Sequence, residues 1–178
     1  MTFLLNDNGR LWQVSQSAPR SAEKGGTTMF VIEGLAGLRE HEGRDLGVGD
    51  WITVSQEMIE RFADLTGDDQ WIHVDRERAR VGPFGTTVAH GYLTLALLPK
   101  LTSTIYRVEG FPAAINYGLN RVRFPAPVPS EQRIRGSVRL DRVEPIEGGA
   151  QAEFTVTVAA EWAAKPVCVA QYVNRYYQ

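Results

Sequence analysis

"VAHGYLTLALLPKLTSTI", residues 88 to 105, is apolar almost all the way round in its first half. A helix on a protein surface shows one apolar stripe, so this composition predicts a helix buried on all sides. Pro99 has no amide hydrogen to donate and is expected to kink or end it. The chain after it changes period. In "QRIRGSVRLDRV", Ile134, Gly136, Val138 and Leu140 alternate with Arg133, Arg135, Ser137 and Arg139. In "QAEFTVTVAAEW", Ala152, Phe154, Val156, Val158 and Trp162 alternate with Glu153, Thr155, Thr157 and Glu161. Period two means strands with one buried face. The turn "PIEGG" joins these two, "INYGLNRVRF" precedes them and "PVCVAQYVNRYY" follows, making four consecutive strands. One buried helix and a run of antiparallel strands give an α+β fold in which the sheet wraps around the helix.

The chain has 178 residues, enough for one domain that buries a core without disulfides or metal. Its single cysteine, Cys168, can build neither a disulfide framework nor a cysteine zinc site, and on a strand it reads as a small buried residue. Nineteen basic and 21 acidic side chains leave a net charge of −2, against the basic excess of a nucleic-acid binder. The opening "MTFLLNDNGR" lacks the basic flank and long apolar run of a signal peptide, and "GYLTLALLP" is too short to span a bilayer. A soluble cytoplasmic protein is the expectation. Residues 13 to 28 are polar, small and without periodicity, so residues 1 to 28 read as a flexible or dispensable arm ahead of a domain from 29 to 178.

Upstream of the buried helix, "WITV" reads as a short strand and Ser55 as an N-cap. Ile59, Phe62, Ala63 and Thr66 recur at helical spacing, and Gly67 suits a helix stop. Asp68 then falls on a turn. Asp75 is placed to cap a second short helix, "RERARV", stopped by Gly82-Pro83.

Asp68 and His73 are the first candidate pair. On a continuous helix five residues turn through roughly 500°, which would separate the two side chains, so they converge only if "DQWI" is extended or turning. A carboxylate and an imidazole held together suit general acid–base work on one water. Spacing alone equally allows Asp68 to cap a turn and His73 to pack in the core. His90-Gly91, at the start of the buried helix, is the second candidate. A glycine there bares a backbone N–H at the positive end of the helix dipole, or merely permits close packing. His73, Asp75 and His90 also match the outline of a two-histidine, one-carboxylate metal site, although Asp75 already has a role as a cap. The arginines Arg121, Arg123, Arg133, Arg135 and Arg139 lie on alternating strand positions and read as a solvated face.

Taken together, "FADLTGDDQWIHVDRERARVGPFGTTVAHGYLTLALL" and "NYGLNRVRFPAPVPSEQRIRGSV" resemble the MaoC-like dehydratases of the hot-dog fold, among them the (R)-specific enoyl-CoA hydratases. The resemblance is closest to the subgroup containing nodulation protein N, and it covers roughly residues 46 to 178. It implies a hot-dog domain, usually a homodimer, that reversibly hydrates a trans-2-enoyl-CoA to a (3R)-3-hydroxyacyl-CoA with no metal or redox cofactor. By motif, Asp68 and His73 match the family's catalytic pair, and Gly91 matches the glycine whose N–H polarises the thioester carbonyl. Phe84, Tyr92 and Leu93 are expected in the pocket wall or the core. A hot-dog thioesterase and a non-catalytic acyl-CoA-binding module remain the alternatives. Many members of the family carry Asn-Pro-Leu where this chain has Gln70-Trp71-Ile72, which bears on how water and acyl chain are held.

Overall fold

The structure, a computed structural model, describes residues 3–5, 11–13 and 29–178. Most of the expected arm at 1 to 28 therefore lies outside the described residues, apart from the strands β1 (Phe3–Leu5) and β2 (Leu11–Gln13), which pair antiparallel.

The four predicted strands are present: β7 (Ala113–Arg123), β8 (Gln132–Ile146), β9 (Gly149–Ala160) and β10 (Cys168–Tyr177). Two shorter strands precede them, β4 (Arg44–Val48) and β5 (Ile52–Val54), and both pair antiparallel with β8. Among the described residues, the order β4-β8-β9-β10-β7 leaves one edge of β7 unpaired. The β8–β9 turn is tight because Gly148 adopts φ 71°, a left-handed conformation open to glycine at no steric cost. Alternate residues of β9, among them Ala152, Phe154, Val156 and Val158, are fully buried and face the helical layer. Trp162, expected inward, is half exposed because β9 has already ended at Ala160.

The central helical segment begins at Gly91, later than the apolar pattern suggested. Val88 is instead in a β-bridge to Pro129, and Ala89 N–H donates to the Val128 carbonyl. α5 (Gly91–Ala96) is interrupted at Leu97 and resumes as α6 (Leu98–Thr102), the break falling where Pro99 lacks an N–H. Nor is it buried on all sides: Leu93, Leu98 and Leu101 are in the core, whereas Tyr92 is 71% exposed. Gly136 on β8 lets this layer come close, since a Cβ there would lie 3.3 Å from Leu101 Cβ. A parallel pair, β3 (Phe30–Glu33) with β6 (Tyr106–Glu109), closes the end of the core beyond α1 (Gly34–Glu40).

Candidate active site

The site is built from three local devices. α2 (Gln56–Thr66) starts at Ser55, whose Oγ accepts from Met58 N–H at 3.2 Å. It stops at Gly67, whose φ of 74° turns the chain and whose N–H returns to the Ala63 carbonyl. Asp68 is thrown onto an exposed turn immediately beyond. Residues 68–70 carry no regular structure and Trp71–Val74 then forms a single helical turn, α3, so the segment turns, one of the two conformations expected of it. Arg78 lies over the Trp71 ring at 4.4 Å, and a Cβ on Gly82 would sit 3.0 Å from the indole, so the turn is clamped from outside. Asp75 caps α4 (Arg76–Arg80) by accepting from Arg78 N–H at 2.9 Å.

His73 lies inward on α3 and is 6% exposed. Its Nδ1 is 2.6 Å from the Val88 carbonyl oxygen. A carbonyl only accepts, so Nδ1 carries the proton and Nε2 presents a free lone pair. The backbone is fixed as well: Gln56 Nε2 donates to the His73 carbonyl at 2.8 Å, and Gln56 Oε1 accepts from the Thr87 hydroxyl. Burial lowers the imidazole below its ordinary 6.5. The bond to Val88 opposes this, His90 adds to it, and the Asp68 charge opposes it. His73 is therefore neutral near pH 7 and able to accept a proton at Nε2.

His90, at the start of α5, completes the cluster. It is 2% exposed, and its ring stacks on His73 with centroids 3.7 Å apart. Its Nε2 donates to the Asp68 carbonyl at 2.8 Å. One carboxylate oxygen of Asp68 and one ring nitrogen from each of His73 and His90 lie within 4.8 Å of one another. The metal outline read from the sequence thus loses Asp75, occupied as a cap, and finds Asp68 in its place. Orientation argues against an ion here. The two rings stack with centroids 3.7 Å apart and planes inclined by 25°, so no point about 2 Å from a nitrogen of each lies in both ring planes, as ligation by two imidazoles requires.

A cavity of about 280 Å³ opens beside the cluster, lined by His73, Phe84, Gly91, Thr94, Phe124 and Val128 among others. Gly91 is close-packed, since a Cβ would meet the Phe124 ring at 3.0 Å. Its N–H stands in the first turn of α5, where backbone donors have no intrahelical acceptor. Of the residues read as pocket wall, Phe84 lines this cavity. Leu93 is in the core, and Tyr92 points outward against Phe124. A larger cavity, about 780 Å³, runs along α5 and α6 past Leu95, Leu98 and Thr102 to Tyr106 and Asn174, with Gly118 of β7 on its other side. Sequence reasoning considered His90 only as a metal ligand or as the neighbour of Gly91. Gln56, a polar residue at the first position of a helix, gave no signal at all.

Cys168 is fully buried and its thiol is pushed up to about 11, as suits a core residue rather than a nucleophile. Arg133 pairs with Glu161, and Arg139 reaches Asp45 and Asp141, on the exposed face of the sheet. Among the described residues, no helix is long and apolar enough to cross a membrane.

Residues 39–163 match the family model described as MaoC like domain. The 3-hydroxyacyl-thioester dehydratase Z of Mycobacterium tuberculosis is 53% identical over 149 residues, covering 83% of this chain and 99% of that protein. Nodulation protein N of Rhizobium leguminosarum bv. viciae is 41% identical over 144 residues, covering 79% of this chain and 89% of the relative. Among solved structures, an R-hydratase of Pseudomonas aeruginosa superposes with a TM-score of 0.63 at 20% identity, over 77% of this chain and 82% of its own.

Proposed function

This chain belongs to the MaoC-like dehydratase family and is a hydro-lyase of 3-hydroxyacyl thioesters, and we propose that Asp68 and His73 carry out the reaction on one water held between them. The observation that carries this reading is the fixed tautomer of His73. With Nδ1–H committed to the Val88 carbonyl, Nε2 is left as the acceptor, and a ring nitrogen of His73 lies within 4.8 Å of an Asp68 carboxylate oxygen. In the hydration direction the water donates to both groups. As its oxygen bonds to C3 of a trans-2-enoyl thioester, one of its protons passes to the pair. The electrons of the C2–C3 double bond move onto the thioester as an enolate, and the pair returns a proton to C2, giving the (3R)-3-hydroxyacyl thioester. Dehydration is the same path reversed. Gly91 N–H is assigned to the enolate oxygen, where such a donor in other enzymes contributes on the order of 3 kcal/mol. No metal or redox cofactor enters, because the thioester itself stabilises the charge at C2.

The acyl chain is assigned to the larger cavity. Gly91, Leu95, Leu98 and Thr102 follow one another at helical spacing along the segment that joins the two cavities. The working assembly is assigned as a homodimer formed on β7. Among the described residues that strand has an unpaired edge, and Ile115, Tyr117 and Leu119 on it are each about half exposed, a combination that invites a partner strand.

The test is the loss of enoyl-thioester absorbance with trans-2-enoyl-CoAs of several chain lengths. Wild type should turn over and form the (3R) product. Asp68→Asn and His73→Ala should each lose about 10²–10⁴-fold in kcat, the range for removing a general acid–base group. Free CoA released with a saturated acyl-CoA would point to thioester hydrolysis instead. Tight binding with no turnover at any length would point to a binding module.

A further inference from the structure

Asp68 presents a difficulty for the mechanism just described. It lies on an exposed turn, and among the described residues both of its hydrogen bonds are made by its backbone: its N–H to Thr66 Oγ1 at a long 3.4 Å, and its carbonyl from His90 Nε2 at 2.8 Å. A reacting carboxylate misplaced by 1 Å can cost about a hundredfold in rate, so something must hold this turn.

We propose that His90 is the positioning residue of the site, its Nε2–H holding the Asp68 turn so that the carboxylate meets His73 across the water. The proposal rests on the reading of Asp68 and His73 as the reacting pair. Three observations support it. First, the ring is wedged between Phe62, with centroids 5.1 Å apart, and His73, at 3.7 Å, so Nε2 has one direction in which to point. Second, Nδ1 is buried and has no hydrogen-bond partner among the described residues. A buried polar atom left unpaired is a cost, and a phenylalanine would fill the same slot without it. Packing alone does not explain a histidine here, whereas the donated Nε2–H does. Third, four consecutive residues connect the whole site. The Val88 carbonyl sets the His73 tautomer, Ala89 N–H anchors the segment to Val128, His90 holds Asp68, and Gly91 offers its N–H to the thioester. The spacing of base, acid and oxyanion donor is then set by one stretch of backbone.

The experiment uses the full chain and steady-state hydration of a trans-2-enoyl-CoA, with thermal unfolding of each variant alongside. His90→Gln places an amide N–H where Nε2 stood, His90→Phe keeps a ring without the donor, and His90→Asn keeps polarity but is too short to reach. The expected result is that Phe and Asn lower kcat by about 100-fold while KM changes little, and that Gln recovers to within about tenfold of wild type. If His90→Phe does not fold, His90→Asn against His90→Gln decides the same question. The double variant Asp68→Asn/His90→Phe should be no slower than Asp68→Asn alone, because residues acting as one unit do not add. The proposal is overturned if Phe or Asn stays within threefold of wild type, if Gln is as slow as Asn, or if the double variant loses a further large factor. Should Asp68→Asn itself remain as active as wild type, the reacting pair has been misassigned and the proposal falls with it. Activity lost in Asp68→Asn but kept in His90→Phe removes this proposal alone.

Discussion

The two halves of the reacting pair are held in opposite ways. His73 is buried, its imidazole fixed by the Val88 carbonyl, its backbone by Gln56, its face by the His90 ring. Asp68 is exposed, on a turn after a helix stop, and among the described residues its hydrogen bonds run through its backbone alone. The contrast follows from what each must do. A neutral imidazole loses little on burial, and its job depends on which nitrogen carries the proton, so it needs neighbours. An ionised carboxylate would be strongly penalised by burial without a partner, so it stays in water and is only steered.

The contrast can be broken most severely at Gln56. Gln56→Leu leaves the His73 carbonyl and the Thr87 hydroxyl unpaired in a buried place, each at about 1–3 kcal/mol. Urea unfolding should show a loss of about 2–6 kcal/mol, with catalysis falling beyond what stability explains. A loss under 0.5 kcal/mol would mean the network is not what fixes His73. The corresponding change on the solvated side is smaller. Gly67→Ala meets no atom within 4 Å but sits at φ 74°, so it should cost about 1 kcal/mol through the backbone alone. Because it reorients the Asp68 turn, kcat should fall while His73-dependent properties stay unchanged. Smaller still, Asp68→Asn should move the unfolding free energy by less than about 0.5 kcal/mol, as is usual for an exposed side chain, despite its large effect on rate.

The pH dependence sharpens the same point. The His73 pKa is lowered in the folded protein, chiefly by burial, so between that value and 6.5 the unfolded chain binds more protons than the native one. Stability then rises with pH through this window and is lost as pH falls below about 6.5. The group must also be neutral to accept at Nε2, so kcat/KM should fall on acidification with an apparent pKa below 6.5. Thermal unfolding of wild type and His73→Gln at pH 7.5 and 5.5 checks this. The variant should show the smaller difference, and equal differences would mean that His73 is not the group responsible.

Much of the frame is legible in the sequence. Ser55, Gly67 and Asp75 announced the helix ends around the site because capping is a local transaction between a side chain and the nearest backbone N–H groups. The alternation in β8 and β9 marked the sheet because period two and one buried face are written in adjacent residues. The motif order from Asp68 to Gly91 pointed to the family, and the match over residues 39–163 carries that identification. Other features had no local signal. That Trp71–Val74 closes into a helical turn depends on Arg78 and Gly82 packing on its outer side. That Tyr92 faces out while Leu93 faces in depends on which side of α5 the sheet covers. The pairing of β3 with β6, in which Phe30 meets Tyr106 far along the chain, was hidden for the same reason.

The sequence by itself determined where elements start and stop, which faces are apolar, and which residue types could do acid–base chemistry, since these rest on interactions within a few residues. The tertiary structure alone decided that a carbonyl at Val88 would select the tautomer of His73, that Gln56 would lock its backbone, and that the ring of His90 would reach back to Asp68. Those bonds join residues 15, 17 and 22 positions apart. Such partners meet only when a whole layer of helices packs against the sheet, and neither partner's immediate sequence indicates the other.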